Sequence, residues 1–79
     1  MDFSDALKNV KMGINMRRTG WNGKGMYLTI ICSCDYKVNE MVWSGECLPF
    51  IAMKTADNKL VPWLASQTDI LASDWENVD

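Results

Sequence analysis

Residues 17–25, Arg17-Arg18-Thr19-Gly20-Trp21-Asn22-Gly23-Lys24-Gly25, crowd an aromatic face and three cations into one short stretch. The glycines at 20, 23 and 25 free the backbone for positive φ and for close approach to another group. Arg17, Arg18 and Lys24, with loop N–H groups, suit a small anion such as a pyrophosphate. A plainer reading stands beside this one. Asn22-Gly23 is the strongest short hairpin signal, because a type I′ turn needs positive φ at both central residues. Trp21 weighs toward a ligand, since a tryptophan at a turn tip is costly unless its face covers something.

Two further tryptophans lie beside element ends next to side chains that make directional hydrogen bonds. Trp63 precedes Ser66, Gln67 and Thr68, and Trp75 lies between Asp74 and Asn77, as Trp21 stands next to Asn22. A nucleobase needs this combination, a π-face for stacking energy and an edge contact for identity. The candidate binding set is therefore Arg17, Arg18, Trp21, Asn22, Gly23, Lys24, Trp63, Ser66, Gln67, Thr68, Asp74 and Trp75. Taken singly, each tryptophan has core packing in a small protein as its alternative role.

Catalysis is hard to assemble from this chain. It has no histidine, and no basic residue stands close in sequence to a cysteine to activate it. Asp69 and Asp74 are a formal carboxylate pair for glycoside chemistry, but Asp69 is already explained as part of a helix cap. Cys32, Cys34 and Cys47 are an odd set behind an acidic, polar N-terminus, which reads as reduced thiols in a cytosol. A C-x-C with one distant cysteine offers at most three sulfurs, too few for a structural zinc site, and Cys32 and Cys34 read as ordinary strand residues on one face. No cofactor is expected.

Eight Lys+Arg against ten Asp+Glu leave a net charge of −2, unlike a duplex-DNA binder, which carries excess positive charge to replace counterions. Single-stranded nucleic acid, or another nucleotide, remains an alternative partner for the stacking residues. The longest apolar run, residues 26–34, contains Thr29 and Ser33 and is too short to cross a membrane. Seventy-nine residues make one domain, small for burying a core of its own. With disulfides and metal set aside, oligomerisation is the remaining supplement.

The elements that must position these residues follow from periodicity. Residues 2–12 read as a helix, with Phe3, Ala6, Leu7 and Val10 on one stripe, acids at its start, lysines toward its end and Gly13 at the C-terminal cap. Residues 14–17 form a short strand entering the glycine-rich loop, and residues 26–32 leave it as an apolar strand. That strand is expected to lie at a sheet edge where a second copy can pair. Residues 33–47 fit neither period and read as a connecting excursion, with Trp43 packed on a neighbour. Residues 48–54 and 59–61 make a second hairpin around Ala56-Asp57-Asn58, stopped by Pro62. Ser66 with Asp69 resembles a capping box and starts a short helix, and residues 74–78 form a final strand. The fold class is α+β: a small antiparallel sheet built from hairpins, with an N-terminal helix and a short C-terminal helix on one face.

Four blocks carry a resemblance to a known family: Asp2-Phe3-Ser4-Asp5-Ala6-Leu7; Gly20-Trp21-Asn22-Gly23-Lys24-Gly25-Met26; residues 48–57, LPFIAMKTAD; and residues 62–69, PWLASQTD, followed by Asp74-Trp75. Together they resemble the second type of Thoeris anti-defence protein, small phage and prophage proteins that sequester a signalling nucleotide. The resemblance implies one ligand-sequestering domain over residues 1–79, working without catalysis in the host cytoplasm. Its ligand would be a cyclic ADP-ribose isomer made by a host TIR-domain enzyme, removed before it activates the Thoeris effector. The resemblance further implies a homo-oligomer, a tetramer, and uptake of cyclic oligonucleotides by some members. Residues 33–47 lie outside the resemblance.

Overall fold

The computed structural model describes residues 1–21, 24–32, 37–38, 41–42 and 48–78. The first helix, α1 (Phe3–Lys11), starts where the Asp2 carboxylate accepts a hydrogen bond from the Asp5 backbone N–H at 2.9 Å. It stops at Gly13, whose φ of +86° reverses the chain and lets its N–H donate to the Val10 carbonyl at 3.0 Å. Ala6 and Val10 on the apolar stripe are buried, and Phe3 packs on the same core.

The strands are β1 (Met16–Arg18), β2 (Tyr27–Ile31), β3 (Lys37–Val38), β4 (Met41–Val42), β5 (Phe50–Lys54), β6 (Leu60–Pro62) and β7 (Trp75–Asn77). A second helix, α2 (Gln67–Ile70), lies between β6 and β7. Five strands form one antiparallel sheet in the order β6-β5-β2-β1-β7. Its register aligns Met16 with Leu28, Leu28 with Met53, Ile30 with Ile51, and Arg18 with Trp75. Directly opposed residues project to the same side of a sheet, so these form one face, and α1 covers it. The buried cluster there is Ala6, Val10, Met16, Leu28 and Trp75. Alternation puts Arg17, Glu76, Tyr27, Thr29 and Ile31 on the opposite face.

Three features depart from the sequence expectations. The apolar strand β2 is central rather than an edge, because β5 takes one side and β1 the other; the edges are β6 and β7. Among residues 33–47, Lys37 pairs with Val42 and Val38 with Met41, a small separate ladder in what reads as plain excursion; Trp43, Cys34 and Cys47 lie outside the described residues. Pro62 does not stop β6 from beyond its end but is its last residue, opposite Ala52, which an edge strand tolerates because the missing N–H need not face a neighbour. The turn before β6 behaves as expected, with Asn58 at φ 65°. Cys32 is an exposed free thiol just past the end of β2.

Candidate ligand-binding recess

The chain between β1 and β2 is anchored at both ends. At its start the Asp74 carboxylate accepts from the Gly20 N–H at 2.9 Å and the Thr19 hydroxyl at 3.2 Å, while the Thr19 N–H donates to the Asp74 carbonyl at 3.1 Å. Glycine at 20 is what permits this, since a Cβ there would stand 3.0 Å from Asp74 Oδ2. At the far end Lys54 Nζ donates to the Gly25 carbonyl at 2.9 Å and lies 5.6 Å from the centre of the Tyr27 ring. Gly25 itself sits at φ +77°, a conformation side chains rarely adopt. Asn22 and Gly23 lie outside the described residues.

The three described tryptophans divide by depth. Trp75 is 2% exposed and forms the hub of an aromatic cluster. Trp21 meets it edge-to-face at 5.4 Å, Trp63 does so at 6.1 Å, and Phe3 is tilted against it at 5.5 Å. Its indole N–H donates to the Asp69 carbonyl at 3.0 Å. The expectation of a stacking face at Trp75 is corrected by this burial: within the chain no side of the ring is open to a base. Trp63 is half-buried over Phe3 and Trp75. Trp21, also half-buried, points its Nε1 at Asp69 Oδ1, 3.4 Å away.

The two arginines of β1 have different partners. Arg18, whose side chain is 17% exposed, donates from Nε to Asp74 at 2.8 Å and from Nη1 to Asp69 at 2.9 Å. These hydrogen bonds, Asp74 first and then Asp69, raise its already high pKa. The same bond from Arg18 holds the Asp74 carboxyl below its ordinary range, helped by the Gly20 N–H and Thr19. At Asp69 burial works to raise the pKa, and the bonds from Arg18, Ser66 and Trp21 together outweigh it, so this carboxyl also lies low. The pair read as possible glycoside carboxylates is thus two anions closed on one guanidinium. Arg17 instead meets Glu76 directly across the ladder at 2.8 Å, with both side chains near 40% exposed.

Ser66 works as a cap: its hydroxyl accepts from the Asp69 N–H at 3.1 Å and donates to Asp69 Oδ2 at 2.9 Å. Gln67 and Thr68 are exposed on α2. Beside β1, the connection from β1 to β2 and β7 opens a recess of about 370 Å³, lined by Arg17, Arg18, Thr19, Trp21, Lys24, Gly25, Met26 and Glu76. That is the lower part of the range for small-molecule sites, room for one end of a nucleotide. The structure therefore brings Arg17, Arg18, Trp21 and Lys24 together and leaves Trp63, Ser66, Gln67 and Thr68 outside the lining. Glu76 was missed, although the alternation of acids around Trp75 put it on the face opposite that ring. Asp69 reads from the sequence as a cap or as half of a carboxylate pair, and nothing local signals its bond to a residue 51 positions away.

Two comparisons bear on this geometry. A family model described as Tad2-like, Thoeris anti-defense 2-like domain, matches residues 1–78. A protein named Thoeris anti-defense 2, from Bacillus phage SP01, is 41% identical over 88 residues, covering 99% of this chain and 94% of that relative.

Proposed function

Because the chain belongs to the Thoeris anti-defense 2-like family, we propose that it is a phage sponge that binds a cyclic ADP-ribose isomer and keeps it from the Thoeris effector. The observation that carries this reading is the recess beside residues 17–25, where one aromatic ring and exposed cations share a volume of about 370 Å³. Trp21 supplies an edge or face for a base, and Arg17 and Lys24 supply charge for a pyrophosphate. The protein works without catalysis: its carboxylates at the site are engaged with arginines, and the chain has no histidine to move a proton. It acts in the host cytoplasm, where the signal is made.

Self-association belongs to the same reading. The face of the sheet away from α1 carries Tyr27, Thr29 and Ile31, each half-buried, and the family resemblance points to a tetramer. Light scattering at micromolar concentration tests this, a monomeric mass with and without ligand being the contrary result.

The test of function is depletion followed by recovery. Mixed with the cyclic ADP-ribose isomer made by a TIR-domain enzyme, the protein should remove free ligand from solution and release it chemically unchanged on heat denaturation. A linearised or hydrolysed product would make it an enzyme. Ligand at about a hundred times its dissociation constant should stabilise the fold by about 2.7 kcal/mol, visible as a thermal shift. A shift with single-stranded oligonucleotides and none with small cyclic nucleotides would favour the alternative partner.

A further inference from the structure

Arg17 and Arg18 are neighbours in sequence and opposites in structure. Alternation along β1 puts Arg18 on the face shared with Met16 and Trp75, and Arg17 on the other face opposite Glu76. On the covered face Arg18 is consumed: Asp69 from α2 and Asp74 before β7 take its Nη1 and Nε, and the cluster of one cation and two anions is net negative. A ligand phosphate brought to Arg18 would face both carboxylates. On the opposite face Arg17 has, among the described residues, one counter-ion, exposed as it is, and exposed ion pairs are weak enough to exchange.

Resting on the sequestration reading, we propose a division of labour between the two. Arg17 and Glu76 form an exchangeable pair in which the phosphate of the ligand displaces Glu76 from Arg17. Arg18 lines the recess wall but acts as a positioning residue, its charge already held by Asp69 and Asp74. It holds Asp74, which in turn holds Thr19 and Gly20, and it shares Asp69 Oδ1 with the indole N–H of Trp21. Glu76 thereby sets specificity: any anion that enters must replace it, and a ligand without a charge to offer Arg17 gains nothing from the exchange.

The experiment compares wild type, Arg17→Gln, Arg18→Gln and Glu76→Gln as full chains, using the TIR-made cyclic ADP-ribose isomer as probe, titrated across a range of salt. Arg17→Gln should weaken binding at least tenfold, flatten its salt dependence and melt with wild type. Glu76→Gln should bind several-fold tighter, having lost the competitor. Arg18→Gln should melt at lower temperature and lose protection of the Gly20 amide in hydrogen exchange, and whatever affinity it keeps should show the wild-type salt slope. The proposal is overturned if Arg18→Gln flattens the salt slope as Arg17→Gln does, if it keeps wild-type melting and Gly20 protection, or if Glu76→Gln binds no tighter. A wild-type protein that takes up no probe overturns the anion assignment together with the sequestration reading, while melting and amide exchange still decide the role of Arg18.

Discussion

Arg18 and Trp75 stand directly opposite each other on β1 and β7, so a guanidinium closed on two carboxylates borders the most deeply set ring of the aromatic cluster. Asp69 joins them a second way, its carboxylate accepting from Arg18 and its carbonyl from the Trp75 indole. The recess wall is thus built on the core, and changes to one should be separable from changes to the other only at chosen positions.

Trp75→Ala should remove a large share of the fold's stability and lower its urea midpoint sharply. Large-to-small changes of a buried tryptophan cost about 3–5 kcal/mol, set against a total stability of about 5–15 kcal/mol for a whole domain. Urea denaturation measures it; a midpoint equal to that of wild type would contradict the buried placement.

Trp21→Ala should separate the other way. Its ring is half-buried and lines the recess, so its loss should weaken nucleotide binding by about 1–3 kcal/mol while the cooperative unfolding transition survives. Calorimetric titration and a thermal melt on the same sample report both effects.

These two tryptophans show what the sequence could and could not tell. Each stands beside turn residues and a polar neighbour, and nothing local distinguishes a ring that caps a recess from one that anchors a core. Depth is decided by the β1–β7 pairing, which joins Arg18 to a residue far along the chain. Where the controlling contacts are local, reading was reliable: Gly13 ends α1 at positive φ, Ser66 caps α2, and Asn58 lies in the turn before β6, each for reasons contained within a few residues. The Arg18 clamp was invisible because its partners lie 51 and 56 positions away.

Acid should weaken the fold through Asp69 and Asp74. Both carboxyls lie below their ordinary range in the folded chain, as does that of Asp57 beside Thr55 and Lys59. The unfolded chain therefore takes up protons first, at about pH 4, and the stabilisation present above that pH drains away as pH falls through the lowered folded values. Arg18 stays charged throughout this window. Urea midpoints from about pH 6 to about pH 2 should fall for wild type and fall less steeply for Asp74→Asn, which starts lower at neutral pH. Parallel curves for the two proteins would count against the clamp as a source of stability.

Two glycine substitutions should have opposite signatures. Gly13→Ala meets no atom within 4 Å but must hold φ +86°, so it should cost about 1–2 kcal/mol of stability and leave affinity alone. Gly20→Ala has no such backbone demand; its Cβ would press on Asp74 Oδ2 and displace the carboxylate from the Gly20 N–H. It should lower ligand affinity more than it lowers the melting temperature. Equal effects of both variants on binding would show that the Asp74 contact does not shape the recess.

The position of β7 at the sheet edge beside β1 also governs the order in which this protein can fold. Synthesis delivers α1, β1 and β2 first, and the β2–β5 and β5–β6 ladders can form as their strands emerge. Trp75 arrives after every other strand of the sheet, and with it the hub on which Trp21, Trp63 and Phe3 rest. Before β7 emerges the nascent chain therefore holds a partial sheet over an unfilled aromatic core, with Arg18 paired to neither β7 nor its Asp74 anchor. The recess wall is completed only when β7 docks on β1, a closing step whose cost lies in bringing together segments 56 positions apart.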